Sequence, residues 1–164
     1  MYKNRSRGFS LIELLVVIAI IGILSAVVLA SLSTARLKGN DAAIQSDLST
    51  VGTEAAVYLS SNNSSYGTAQ TPAAMTAPLV YSATGNSMFT ADQVMVNAVN
   101  GAYGITGTGN VQYAIGVNGT TFAVYAKLTA GGSNPYICID GNGTTKSYAS
   151  APSIGGGTAA AGCP

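Results

Sequence analysis

FSLIELLVVIAIIGILSAVVLASL, residues Phe9–Leu32, carries a single charged side chain, Glu13, and follows directly on the short basic stretch MYKNRSRG of residues 1–8. From Leu14 to Ala35 there is no charge at all, a run of 22 positions that at ~1.5 Å per residue reaches across a hydrocarbon layer ~30 Å thick. The reading is a membrane-spanning helix. Lys3, Arg5 and Arg7 precede it and no comparable basic cluster follows, so the positive-inside bias places the amino end in the cytoplasm. These residues also carry the chain's positive balance: without them the 7 basic residues fall to four, against 6 carboxylates. Two blander readings compete. A secretory signal also joins a basic start to an apolar centre, and Ser25-Ala26 or Ala30-Ser31 could mimic its cleavage site, but its apolar centre should end after ~7–15 residues. A plain anchor has the right length yet gains nothing from Glu13, because a carboxylate at mid-bilayer costs ~2.5–3.5 kcal/mol. An acid inside an apolar span is by default a functional residue.

Taken together, Lys3-Asn4-Arg5-Ser6-Arg7-Gly8 and Phe9-Ser10-Leu11-Ile12-Glu13-Leu14-Leu15-Val16-Val17 resemble the processing site of type IV prepilins and of type II secretion pseudopilins. A basic leader, a Gly, a Phe and a Glu stand at fixed spacing before a long apolar run. The resemblance implies that a membrane aspartyl prepilin peptidase cuts between Gly8 and Phe9 and that the new terminal Phe9 is N-methylated. It also implies that Glu13 pairs with the terminal amine of a neighbouring subunit during assembly. The physics agrees, because a charge in an apolar medium is tolerable only when paired. The function implied is that of a structural subunit polymerising into a type IV pilus-like filament, for adhesion, motility or DNA uptake. Its partners would be further copies of itself through the amino-terminal helix, the prepilin peptidase, the membrane, and the assembly machinery of a pilus or a type II secretion system. It would sit first as a single-pass precursor in the cytoplasmic (inner) membrane and then in an extracellular filament. One departure is Ala30, where many pilins carry a proline, so the resemblance does not carry helix melting over to this region.

Composition narrows the alternatives. The chain has no His and no Trp, and its carboxylates, Glu13, Asp41, Asp47, Glu54, Asp92 and Asp140, follow no repeated spacing. The commonest general base is missing, and two thiolates without His make a poor zinc site. We therefore expect no catalytic residues, no metal and no cofactor, with a Ser/Lys dyad through Lys127 or Lys146 as the remaining arithmetical possibility for an enzyme. With 8% charged residues there is no electrostatic case for nucleic acid.

Beyond the span, Ile44, Leu48, Val51, Ala55 and Tyr58 recur at helical spacing, the stripe of an amphipathic helix. Gly39-Asn40-Asp41 either interrupts or bends it. If continuous to about Ser60 the helix is a rod ~78 Å long. Residues 61–110 read as a variable connecting region with one short helix, opened by a capping box at Thr90 and Gln93 and ended at Asn100-Gly101. Then the period changes to two. Val111, Tyr113, Ile115 and Val117 alternate, Asn118-Gly119 supplies a two-residue turn, and Phe122, Val124, Ala126 and Leu128 alternate again, a strong hairpin signal. Tyr136–Asp140 adds a third strand and 144–149 a fourth. The expectation is an α+β chain in five parts: leader 1–8, transmembrane or filament-core helix 9–35, amphipathic helix 36–60, connecting region 61–110, and a small antiparallel sheet with the carboxy-terminal region over 111–164. The sheet should be polar on one face and rest the other on the helix.

Cys138 and Cys163 flank a Gly/Ala-rich tail. By themselves they are either a disulfide that pins a fraying terminus or two free thiols. The resemblance favours the bond, since pilins often staple this region. Asn62, Asn63, Asn118 and Asn142 begin sequons of the kind that arise by chance in a chain rich in Asn, Ser and Thr. Two functional rivals remain at this level. One is a pseudopilin, whose major type often binds calcium near the carboxy-terminal loop, where only Asp140 offers an acid. The other is a membrane-anchored surface-binding domain that never polymerises.

Overall fold

The computed structural model describes residues 9–164, so the leader 1–8, with Gly8, lies outside the described residues. Helix α1 is assigned over Leu11–Ser61 and runs through both Gly22 and Gly39. The chain divides into two compact units, meeting between Arg36 and Leu37.

In the first unit α1 is apolar on every side, and its large side chains stand in the open, from Leu11 at 87% to Val16 at 48% exposed. In the second unit the same helix is striped, and Ile44, Leu48, Val51 and Ala55 are buried. They pack into a core with one face of a five-stranded antiparallel sheet, β1 (Gln70–Ala74), β2 (Val111–Ile115), β3 (Phe122–Lys127), β4 (Tyr136–Asp140) and β5 (Thr145–Tyr148), in spatial order β1-β2-β3-β4-β5. Two helices, α2 (Met88–Ala91) and α3 (Gln93–Thr106), complete that core through Phe89, Met95 and Val99. Burying each such side chain stabilises the fold by ~1.5–3 kcal/mol. The architecture is α+β, a long amino-terminal helix with a small antiparallel sheet.

Gly39-Asn40-Asp41 is no break, and Asp41 shows what the position does. Its carboxylate accepts the backbone N–H of Thr129 at 2.6 Å, the Thr129 hydroxyl at 2.9 Å and the Ala130 N–H at 3.2 Å. The helix thereby holds the loop that follows β3.

Four details depart from expectation. The helix in the connecting region is capped by Asp92, whose Oδ1 accepts from the Met95 N–H at 2.8 Å, rather than by Thr90, which is already inside α2, and it does not end at Asn100-Gly101 but runs on to Thr106. The same region also supplies a strand, β1, whose register shifts between Gln70 and Ala73, around a proline of the sort confined to sheet edges. The loop between β2 and β3 is wider than two residues, because Ile115 and Phe122 are the last paired positions. Asn118 and Gly119 do take positive φ, 61° and 68°, as a primed turn requires. Their surroundings bond outward, however: Gly119 O accepts from Tyr66 N, and Val117 N donates to Ala159 O. Finally, the sheet's second face is not polar. Ala114, Ala123, Tyr125 and Cys138 form a second buried cluster with Ile154 and Ala161, so the carboxy-terminal segment is folded across that face. Small residues on the sheet let a Gly/Ala-rich segment approach closely.

Candidate assembly site

Phe9 and Glu13 lie together at the start of the amino-terminal unit. They line one open recess of about 400 Å3 with Ile12, Val16 and Val17, and Phe9 is 84% exposed. Glu13 is fixed by Ser10 in a reciprocal pair. The Ser10 N–H donates to Glu13 Oε2 at 2.9 Å, and the Glu13 N–H donates to Ser10 Oγ at 3.3 Å. This is a capping box, which satisfies two of the donors that every helix start leaves open. The Ser-x-x-Glu spacing was readable in the sequence and points to the same residue for a second reason. Beyond it the helix is long and apolar enough to cross a membrane, and that apolar stretch is not buried against any of the described residues. Such a surface is suited to lipid or to other apolar helices.

The other predicted residues lie in the second unit. Cys138 and Cys163 are joined by a disulfide with Cα atoms 6.0 Å apart. Beside it Asp140 is buried to 4% exposure, and each of its carboxylate oxygens accepts from the backbone. Its Oδ1 accepts from the N–H groups of Asn142 and Thr144, both at 3.0 Å, and its Oδ2 from the Cys163 N–H at 3.1 Å. The acid weighed for calcium thus ties the β4–β5 turn to the tail. Sequence reading missed that role, although Asp140-Gly141-Asn142-Gly143 is a plain turn signal. No group of three or more metal-binding side chains occurs among the described residues. The two lysines named for a dyad sit against tyrosines, Lys127 over Tyr136 and Lys146 over Tyr148.

A family model described as the prokaryotic N-terminal methylation motif matches residues 3–29. The chain is 41% identical over 93 residues to the type IV wide pilus major component PilA4 of Thermus thermophilus. That match covers 51% of this chain and 70% of the relative. No solved structure matches the chain.

Proposed function

The chain belongs to the type IV pilin family and is a structural subunit of a pilus, and from that premise we propose how its amino-terminal residues make the filament. Prepilin peptidase cuts between Gly8 and Phe9, and the new Phe9 amine is methylated. The precursor is held in the cytoplasmic membrane by residues 9–35, and subunits leave it for the growing extracellular filament through a pilus assembly machinery. In the filament core the amino-terminal helices of many copies replace lipid as one another's surroundings. The observation that carries this reading is the exposed apolar surface of Phe9–Leu32, interrupted by one acid at Glu13.

Glu13 then does two things. Within a copy it caps the helix, through the bonds to Ser10. Between copies its carboxylate is the partner of the ammonium group of an adjacent Phe9, the only way both charges are tolerated away from water. The part is structural rather than enzymatic. The head supports the role by being stapled shut before it leaves the membrane, through Cys138–Cys163. Intact mass of sheared filaments tests the processing step. The expected mature chain lacks residues 1–8 and carries one methyl at Phe9; a terminus near Ser31 would show that an ordinary signal peptidase acted.

A further inference from the structure

The second unit places its opposite charges on different sides. Directly opposed residues of antiparallel strands share a face, and the register pairs Lys127 with Tyr136, Tyr136 with Tyr148, Tyr125 with Cys138 and Cys138 with Lys146. Tyr125 and Cys138 belong to the cluster under the tail, so Lys127 and Lys146 both project from the sheet's outer face, away from α1. Both are exposed. Each lies over a tyrosine ring, at 6.0 Å and 5.2 Å, and Lys146 also donates to the Pro164 oxygen at 3.2 Å. Lys38 is the only other cation of this unit, so two of its three positive charges share one surface.

The acids divide differently. Asp41, Asp92 and Asp140 accept backbone N–H groups of their own head. Asp47 and Glu54 are not so used among the described residues. They stand seven positions apart on α1, hence on one flank of it, beside the buried stripe and half-buried. Asp47 is seated against α3 where Gly101 leaves it room, for a Cβ at Gly101 would come within 2.5 Å of Oδ2. Burial alone pushes the Asp47 carboxyl up, as for an acid with no cation facing it.

We propose that the outer sheet face of one copy, through Lys127 and Lys146, docks on the Asp47–Glu54 flank of α1 in the next copy, as a head-to-head contact in the filament. The proposal rests on the filament reading and adds to it a surface outside the amino-terminal helix. Complementary patches on different sides of one subunit cannot meet within that subunit, and a repeated heterologous contact of this kind builds an open polymer rather than a closed pair. Charge pairs at such a rim set register and speed encounter more than they add affinity. A modest effect is therefore expected, one that depends on salt.

The test is charge reversal in full-length protein in cells, reading sheared-filament yield against membrane-fraction level. Lys127→Glu with Lys146→Glu, and separately Asp47→Lys with Glu54→Lys, should each lower filament yield at least fivefold at unchanged membrane level. All four changes together should restore at least half of the wild-type yield. Closure of the disulfide and protease resistance in the membrane fraction show that each variant is folded. Where Asp47→Lys disturbs packing at Gly101, Glu54→Lys alone against the two lysine reversals carries the same expectation. Wild-type yield from either reversal, or a combined variant no better than the single sets, overturns the contact and leaves the filament reading standing. Cells that make wild-type chain and no filaments overturn both.

Discussion

Ile20 and Ile44 stand on the same helix and are treated oppositely: Ile20 is 52% exposed and Ile44 0%. Helix propensity does not distinguish them, and neither does side-chain chemistry. What differs is the pattern around each. Near Ile20 every side of α1 is apolar, so whatever covers it has to surround it, which one protein layer of its own chain cannot do. Near Ile44 the apolar positions form a stripe, and the sheet with α3 covers that stripe completely. The comparison teaches that an all-round apolar helix asks for lipid or for other copies, whereas a striped one asks for its own fold.

The largest expected effect comes from the one charged side chain in the uncovered stretch Phe9–Leu32, Glu13. Glu13→Ala should leave insertion intact or improved, because it removes an acid from an apolar span. Filament yield should fall by well over tenfold, since losing one partner of a buried charge pair costs ~3–5 kcal/mol. Two further variants separate the residue's two roles. Glu13→Gln keeps an oxygen to accept from the Ser10 N–H but loses the charge, and Ser10→Ala keeps the charge but loses one cap bond. If charge pairing governs assembly, Glu13→Gln fails like Glu13→Ala and Ser10→Ala assembles. The opposite result reduces Glu13 to a helix cap.

In the covered region the next effect is the staple. Cys138→Ser should cost ~3.5 kcal/mol in the chain-entropy argument, releasing the tail from the outer sheet face and making it protease-sensitive. Membrane insertion should be unchanged. Alkylation of native protein should block no thiol before reduction and two afterwards; two reactive thiols in native filaments would defeat this prediction. A close third sharpens the contrast directly. Leu48→Ala should destabilise the head by about 3 kcal/mol, as for a large core deletion, with Leu48 at 2% exposure. Ile20→Ala should leave head unfolding in detergent unchanged, because Ile20 is 52% exposed and belongs to neither buried cluster of the head. Equal losses would mean that the two regions of α1 are not distinct in the way described.

The elements legible in the sequence were those with a period. Ile44, Leu48, Val51 and Ala55 announce the buried stripe, and Val111–Ile115 with Phe122–Lys127 announce the hairpin at nearly the bounds observed. β1 was hidden because Gln70-Thr71-Pro72-Ala73-Ala74 shows neither alternation nor β-branched density, and pairs only as an edge. The covering of the outer sheet face was hidden for a related reason. Between Ile154 and Ala161, the two residues that anchor the tail, lie glycines, alanines and a threonine, which carry no periodicity, so only the folded chain shows where they go. At the candidate assembly site the order reverses. Phe9 and Glu13 are proposed from spacing and an unfavourable charge, and the Ser10–Glu13 cap went unread because the acid in the apolar run already had an explanation.

The smallest effect concerns Asp47, which belongs to the covered region and behaves like a residue awaiting cover. Burial pushes its carboxyl above the ordinary aspartate value, so the folded head binds this proton more tightly than the unfolded chain does. By linkage, stability falls as pH rises through the interval between the unfolded and folded values, and above it the ionised carboxylate costs the head a small constant amount. Asp47→Asn should therefore stabilise the disulfide-closed, detergent-solubilised full chain at pH 7, by at most ~0.5 kcal/mol once solvent screening at a half-exposed site is allowed for. At pH 3 wild type and variant should unfold together. Thermal unfolding at the two pH values measures this. The same substitution should lower filament yield slightly if the acid has its cation in the next copy, so stability and assembly would move in opposite directions. A variant less stable than wild type at pH 7 would mean that Asp47 is satisfied inside its own head. That outcome would blur the line between covered and uncovered regions and remove one of the two acids from the proposed contact between heads.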